Sequence, residues 1–488
     1  MSCFLPRIGG LLIGLCLGLV AEAEEIPDRA AAAESACRSS GDPVAGSTAT
    51  LLLDALQEVN GVPGLGAAVW QDGRIVWTGC AGWRDAEARR PVQADTVFRL
   101  ASVSKVYAAT LAARLAEQGR LDLDAPVQQT LPWLAGRWAP LTVRQLAAHA
   151  SGLDHYTAAD RGLGARRFGD GRAAVRWFLE RPLLAAPGTR YTYSSWGYTL
   201  MGATLEGATG APFVELLQQE LDVAVQADPA GAGDAVSRLY RIDGDTPERL
   251  PANDLSYTVP GGGLAATPTA VAEFAGQLMQ GRFVSAATWA AMRVPYRLAD
   301  GTPTGERDYQ VGLGWRVGRD AAGAEIVHHA GITEGARSAV VLWPEEQVAV
   351  SLLSNAIWVS SIESSAMLLA AAFRLPSSDA PVRACPLGAR RYQGTLGDTA
   401  IGGTLRVQQQ AGRCRIDLAP DPALTAAFGK ATAWRGGTLR ILGLSATGEL
   451  GAAALVTPYG SYALDAVAEG WQAQLPSGRL QLRMEAAR

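Results

Sequence analysis

Up to about residue 375, strand-like alternation occurs in two separate blocks of this chain, with a long helical stretch between them. In the first block, "GAAVWQDGRIVWTGCAGW" places two apolar runs on either side of Asp72-Gly73, a dipeptide suited to a tight hairpin turn. The second block holds "QVGLGWRVG", "AEIVHHAG", "ARSAVVLW" and "QVAVSLLSN", the last two joined at Pro344-Glu345-Glu346. Between the blocks, residues of about 120 to 290 read as helix and loop. Helical patterns also flank the strands: from Thr48 to a stop at Gly61, from Leu100 to Gly119, and in "SSIESSAMLLAAAFRL". The order predicts an α+β fold: one mostly antiparallel sheet completed by both ends of the domain, helices on its faces and an inserted helical lobe.

At 488 residues the chain exceeds what one core usually supports. "LPSSDAPVRACPLG" has linker composition, and several short strand-period runs follow it. The expected division is a leader at 1–23, a lead-in at 24–47, the main α+β domain at 48–375, a linker at 376–384 and a small β-rich domain at 385–488. The leader has Arg7, a thirteen-residue apolar run and the small residues "AEA", the pattern of a secretory signal peptide. An uncleaved anchor is the other reading. Export to a periplasmic or extracellular space is expected, with no stable membrane insertion. Four cysteines remain after the leader. Sequence order favours Cys37 with Cys80 and Cys385 with Cys414; four free buried thiols is the alternative. The net charge of −4 gives no basic face for nucleic acid, and no zinc spacing is present.

Of the 43 basic residues only Lys105 and Lys430 are lysine. Lys105 lies three residues after Ser102 in "LASVSKVYAAT", so a helix there puts both side chains on one face. Serine is a weak nucleophile until a base removes its proton. A buried lysine can be that base, because burial lowers its pKa; arginine cannot. Tyr193 in "YTYSSWGY" is a candidate to relay the proton, and "VHHAGI" places His329, Ala330 and Gly331 at an expected strand end. The backbone N–H groups of Ser102 and Ile332 are then candidates to hold an oxyanion, with His329 orienting a substrate carbonyl or carboxylate.

These three elements, with "LTVRQLAAHASGL", "VPGGGLAATPTAVAEFA" and "HHAGITEGARSAVVLWPEEQVAV", resemble the penicillin-recognising serine hydrolases: class C β-lactamases, DD-peptidases and their esterase and D-aminopeptidase relatives. The likeness covers about residues 48 to 375. It implies Ser102 as nucleophile, Lys105 and Tyr193 as the base system, and Ser195, His329, Gly331 and Ile332 on the substrate side. It also implies a structural turn for His149 and no metal or cofactor. Two positions depart from the family: Ser195 replaces the asparagine of Y-x-N, and His329 replaces the lysine of K-T-G. Both changes weaken recognition of a penicillin's amide and carboxylate and leave the nucleophile in place. The reading is an exported serine hydrolase acting on a small ester, D-peptide or β-lactam-like substrate. A non-catalytic binding protein derived from the same fold, or a true β-lactamase, are the alternatives.

Overall fold

Asp72 and Gly73 take φ of 48° and 90°, and they turn β1 (Gly64–Gln71) into β2 (Arg74–Asp85). The computed structural model to which they belong describes residues 37, 42–243, 246–357, 361–374, 384–428, 437–444, 452–467 and 470–485. The expected leader, and the linker apart from Ala384, lie outside these residues. The sheet continues with β3 (Arg90–Pro91) and, after the insertion, β4 (Gly305–Glu306), β5 (Tyr309–Val311), β6 (Arg316–Arg319), β7 (Glu325–Thr333), β8 (Ala336–Trp343) and β9 (Val348–Ser354). Its spatial order is β3-β2-β1-β9-β8-β7-β6-β5-β4. The two sequence blocks meet at β1 and β9, antiparallel from Leu65↔Ser354 to Gln71↔Val348.

Period-two alternation divides the sheet between two cores. Ala68, Trp70, Val340 and Leu342 face the helical lobe. There they meet α2 (Ser104–Glu117), α3 (Ser195–Thr209) and α4 (Pro268–Met279), with Tyr107 stacked on Phe274 at 4.0 Å. Val69, Val341 and Trp343 face the other way, against α1 (Pro43–Asn60) and α5 (Ile362–Arg374). Helix α1 starts five residues earlier than the apolar pattern predicts. Asp42 caps it by accepting the Val44 N–H, and Pro43 has the fixed φ that suits a first helical residue. Gly61 ends it in the left-handed conformation. The insertion also carries short strands, among them Leu264–Ala266 paired with Phe98–Arg99. No described helix is long and apolar enough to cross a membrane.

Eight further strands, from Gly388–Leu396 (β10) to Gly478–Met484 (β17), close into a barrel because the first pairs with the last, from Tyr392↔Met484 to Leu396↔Leu480. Both disulfides favoured by sequence order are formed, Cys37–Cys80 in the N-terminal region and Cys385–Cys414 at the barrel. The barrel sits on α1 and α5, the face of the sheet opposite the helical lobe. Leu442, Leu444, Ala454 and Val456 share a core with Leu52, Leu56 and Leu369. Polar contacts surround it: Arg440 to Glu58 at 2.5 Å, Asn60 Nδ2 to Thr457 O at 3.1 Å, and Ser461 N to Ser365 Oγ at 3.0 Å. Deleting 384–488 removes apolar cover from α1 and α5 while leaving the lobe face intact. The truncated chain is expected to melt on the order of 5–10 °C lower and to bind more anilinonaphthalene sulfonate. Unchanged melting would show that the barrel adds nothing to that core.

Candidate active site

The segment from Leu100 to Ser104 is held on several sides. Leu100 N–H donates to Leu264 O at 2.9 Å, and Leu264 N–H donates to Ser104 Oγ at 3.0 Å. Ser338 Oγ donates to Leu100 O at 2.5 Å. Ala101 is held at a φ of 45°, which costs an L-residue about 1–2 kcal/mol. Ser102 follows in a single 3₁₀ turn, Ala101–Val103, and α2 begins at Ser104. The nucleophile candidate therefore stands just before the helix and not inside it.

Lys105 is fully buried. Its Nζ lies 3.2 Å from Ser102 Oγ, 3.0 Å from Ser195 Oγ and 2.5 Å from Gly261 O. A carbonyl oxygen only accepts, so one N–H must point at Gly261. A neutral amine then has one N–H for Ser195 Oγ and a lone pair for the Ser102 hydroxyl. Burial lowers the Lys105 pKa from the usual lysine range, opposed by the Tyr193 phenol and reinforced by the charge of Arg316. The rings of Tyr193 and Tyr198, 5.1 and 5.2 Å from Nζ, favour the ammonium, but burial outweighs them. Tyr193 Oη is 2.8 Å from Ser102 Oγ.

Tyr193 and Ser195 are positioned by the start of α3. Ser194 caps the helix by accepting the Gly197 N–H at 2.9 Å and donates to Asp154 O at 2.6 Å. Two imidazoles take the adjoining N–H groups: Ser194 N donates to His149 Nδ1 at 3.1 Å, and Ser195 N to His155 Nδ1 at 3.4 Å. His149 lies 4.3 Å from the Tyr193 ring, and burial holds its pKa well below the usual value.

Ser102, Tyr193, Ser195 and Ile332 line one pocket of about 470 Å³. His329 and Gly331 do not line it. His329 lies inside β7 and not at its end, is 2% exposed, and faces the interior with Nδ1 2.8 Å from Ala330 O. From β7 the pocket wall takes Ala330, Ile332 and Thr333 instead. Burial, followed by the charges of Arg316 and Lys105, keeps His329 neutral. The expectation that His329 orients substrate directly is corrected accordingly. Gly331 packs against the nucleophile's backbone: a Cβ there would stand 2.8 Å from Ser102 N and 2.5 Å from Leu100 O.

Among the wall residues that sequence reasoning missed are the ionisable side chains of His155, Glu306 and Arg316. Arg316 brings a positive charge to the pocket, with its guanidinium 4.5 Å from the Tyr309 ring and 3.6 Å from Glu363. Nothing in the sequence distinguishes it from the other arginines. A second cavity, about 490 Å³ on the barrel beside Trp471 and Arg483, contains no nucleophile and base together. Among the described residues, no group of three or more His, Cys, Asp or Glu side chains is placed to hold a metal ion.

A family model described as Beta-lactamase matches residues 51–356. The human mitochondrial serine beta-lactamase-like protein LACTB is 26% identical over 304 residues, 47% of this chain and 56% of LACTB, so the chain spans about half the length of that relative. A D-aminopeptidase of Gluconobacter oxydans is 27% identical over 370 residues, 74% of this chain and 66% of its own. The solved octameric penicillin-binding protein homologue from Pyrococcus abyssi aligns with 90% of this chain and 99% of its own, with a TM-score of 0.57 at 19% identity. That likeness of fold extends into the barrel.

Proposed function

Since the chain belongs to the beta-lactamase family, we propose that it is an exported serine hydrolase that cleaves an ester or amide bond through an acyl-enzyme on Ser102. The observation that carries this reading is the buried Lys105 amine 3.2 Å from Ser102 Oγ, with Tyr193 Oη 2.8 Å from the same oxygen. Ser102 Oγ attacks the carbonyl carbon as its proton passes to Lys105. The backbone N–H groups of Ser102 and Ile332 hold the oxyanion. As the tetrahedral intermediate collapses, Tyr193 delivers a proton to the leaving oxygen or nitrogen and is reprotonated from Lys105. Water then adds to the acyl-enzyme by the same route and releases the acid.

An esterase and D-aminopeptidases are among the chain's relatives and support an ester or D-aminoacyl substrate. Ser195 supports it too, because its Oγ is engaged by Lys105 where the family's asparagine contacts a substrate amide. Two disulfides support export to an oxidising compartment. Incubation with a fluorophosphonate should add one phosphonyl group to the Ser102 peptide. p-Nitrophenyl acetate and D-alanine p-nitroanilide should then be turned over faster than nitrocefin. Rapid nitrocefin turnover would make the protein a β-lactamase. An unlabelled Ser102 would favour the non-catalytic binding protein.

A further inference from the structure

Two histidines brace the Tyr193–Ser195 segment in the same manner and differ in what lies beyond them. A backbone N–H can only donate, so the Nδ1 atoms of His149 and His155 must both be bare lone pairs. In a neutral ring the hydrogen then sits on Nε2. His149 is 2% exposed, between Tyr193 and Tyr198, and does not border the pocket. His155 does border it, beside Ser102, Tyr193 and Ser195. Its ring stands edge-on to Tyr193, at 5.4 Å and 79°, and its Nε2 has no hydrogen-bond partner among the described residues. Burial lowers its pKa to about 4, so the ring is neutral at physiological pH and the tautomer is fixed.

Three neighbouring polar groups on this wall already have partners, while Arg316, Tyr257 and Thr333 line the rest of the pocket. Ser195 Oγ accepts from Lys105, Tyr156 Oη donates to Thr258 Oγ1 at 2.6 Å, and Tyr193 Oη lies on Ser102. His155 Nε2–H is thus an unpartnered neutral N–H donor on the wall that carries Tyr193 and Ser195, beside the nucleophile, in a pocket that also holds the charged Arg316 and the Ser195 hydroxyl. We propose that His155 Nε2–H binds a second carbonyl oxygen on the acyl side of the substrate, which selects acylamino acyl groups over plain alkanoyl ones. The proposal rests on the acyl-transfer reading of the same pocket and adds a substrate class to it.

The p-nitrophenyl esters of N-acetylglycine and of pentanoic acid have acyl chains of the same length, and only the first has a second carbonyl. The wild-type chain is expected to prefer the N-acetylglycine ester in kcat/KM. His155→Phe keeps a ring and removes the donor, and should reduce that preference about tenfold or more, a loss typical of an unmade hydrogen bond in a site built for one. His155→Gln, whose amide can accept from Ser195 N and donate to the pocket, should keep it within about threefold. If both esters lose equally in His155→Phe, His155 only braces α3 and the proposal is overturned. A wild-type chain without the preference also overturns it. Fluorophosphonate labelling of Ser102 separates these results from failure of the acyl-transfer reading itself, because an unlabelled Ser102 would overturn both.

Discussion

Lys105→Arg is expected to lower kcat/KM for p-nitrophenyl acetate by about a thousandfold, although it conserves the charge. The residue is fully buried, and its Nζ faces three oxygen atoms within 3.2 Å. A guanidinium is larger than this space and does not lose its proton at any pH the fold survives. Lys105→Met fits the space better and should be as inactive, which separates lost basicity from crowding. The pH dependence follows from the lowered lysine pKa. Wild-type kcat/KM should rise with pH along a limb below the free-lysine value of 10.5. Stability follows the same sign. Between the folded pKa and 10.5 the unfolded chain binds more protons at this group, so stability increases with pH there and is lost as pH falls through the folded pKa. A wild-type melting temperature that rises through this window relative to Lys105→Met would agree. Parallel profiles would show that the buried amine does not titrate. All four histidines also have lowered pKa values, but their losses begin only as pH falls below 6.5.

What the sequence made legible was governed by short-range geometry. A three-residue spacing brings Ser102 and Lys105 together whether the turn is 3₁₀ or α, so the pair was readable although the helix begins later than expected. Alternation in the two blocks made the antiparallel sheet readable, with Gly61 marking the end of α1 and Asp72-Gly73 the first hairpin turn. Alternation also says that His329 and Gly331 share a face of β7. It does not say that His329 is covered while Thr333, on the same face, reaches the pocket wall, because that depends on where the lobe packs. Arg316 and His155 reach the site through pairings distant in sequence, Arg316 through β6 beside β7 and His155 through α3. The barrel's strands were visible one at a time. Its closure depends on a pairing between Leu396 and Leu480 that no local pattern encodes.

Gly331→Ala is expected to reduce kcat by about a hundredfold through backbone geometry alone, since it touches neither the nucleophile's side chain nor its base. The added Cβ would meet Ser338 Oγ at 2.4 Å, Leu100 O at 2.5 Å and Ser102 N at 2.8 Å, all closer than real Cβ contacts. Two of these three atoms are backbone, Leu100 O just before the nucleophile and the nucleophile's own N. The third, Ser338 Oγ, is held by its own bond to Leu100 O. Relief therefore has to come from separating β7 from the Leu100–Val103 segment, which moves Ser102 N away from Ile332 N. Those are the two donors assigned to the oxyanion, and their spacing matters most when charge develops on the substrate oxygen. The overpacking itself should cost about 1–3 kcal/mol of stability, read by urea denaturation. Adding Ser338→Ala removes the closest contact and should recover part of the stability but little of the kcat, because the clash with Leu100 O and Ser102 N remains. Ile332→Ala is the contrasting variant. It trims a side chain 50% exposed at the pocket and keeps the backbone N–H, so its effect should fall mainly on KM. A Gly331→Ala protein that retained kcat within about threefold would remove the β7 backbone from the oxyanion site.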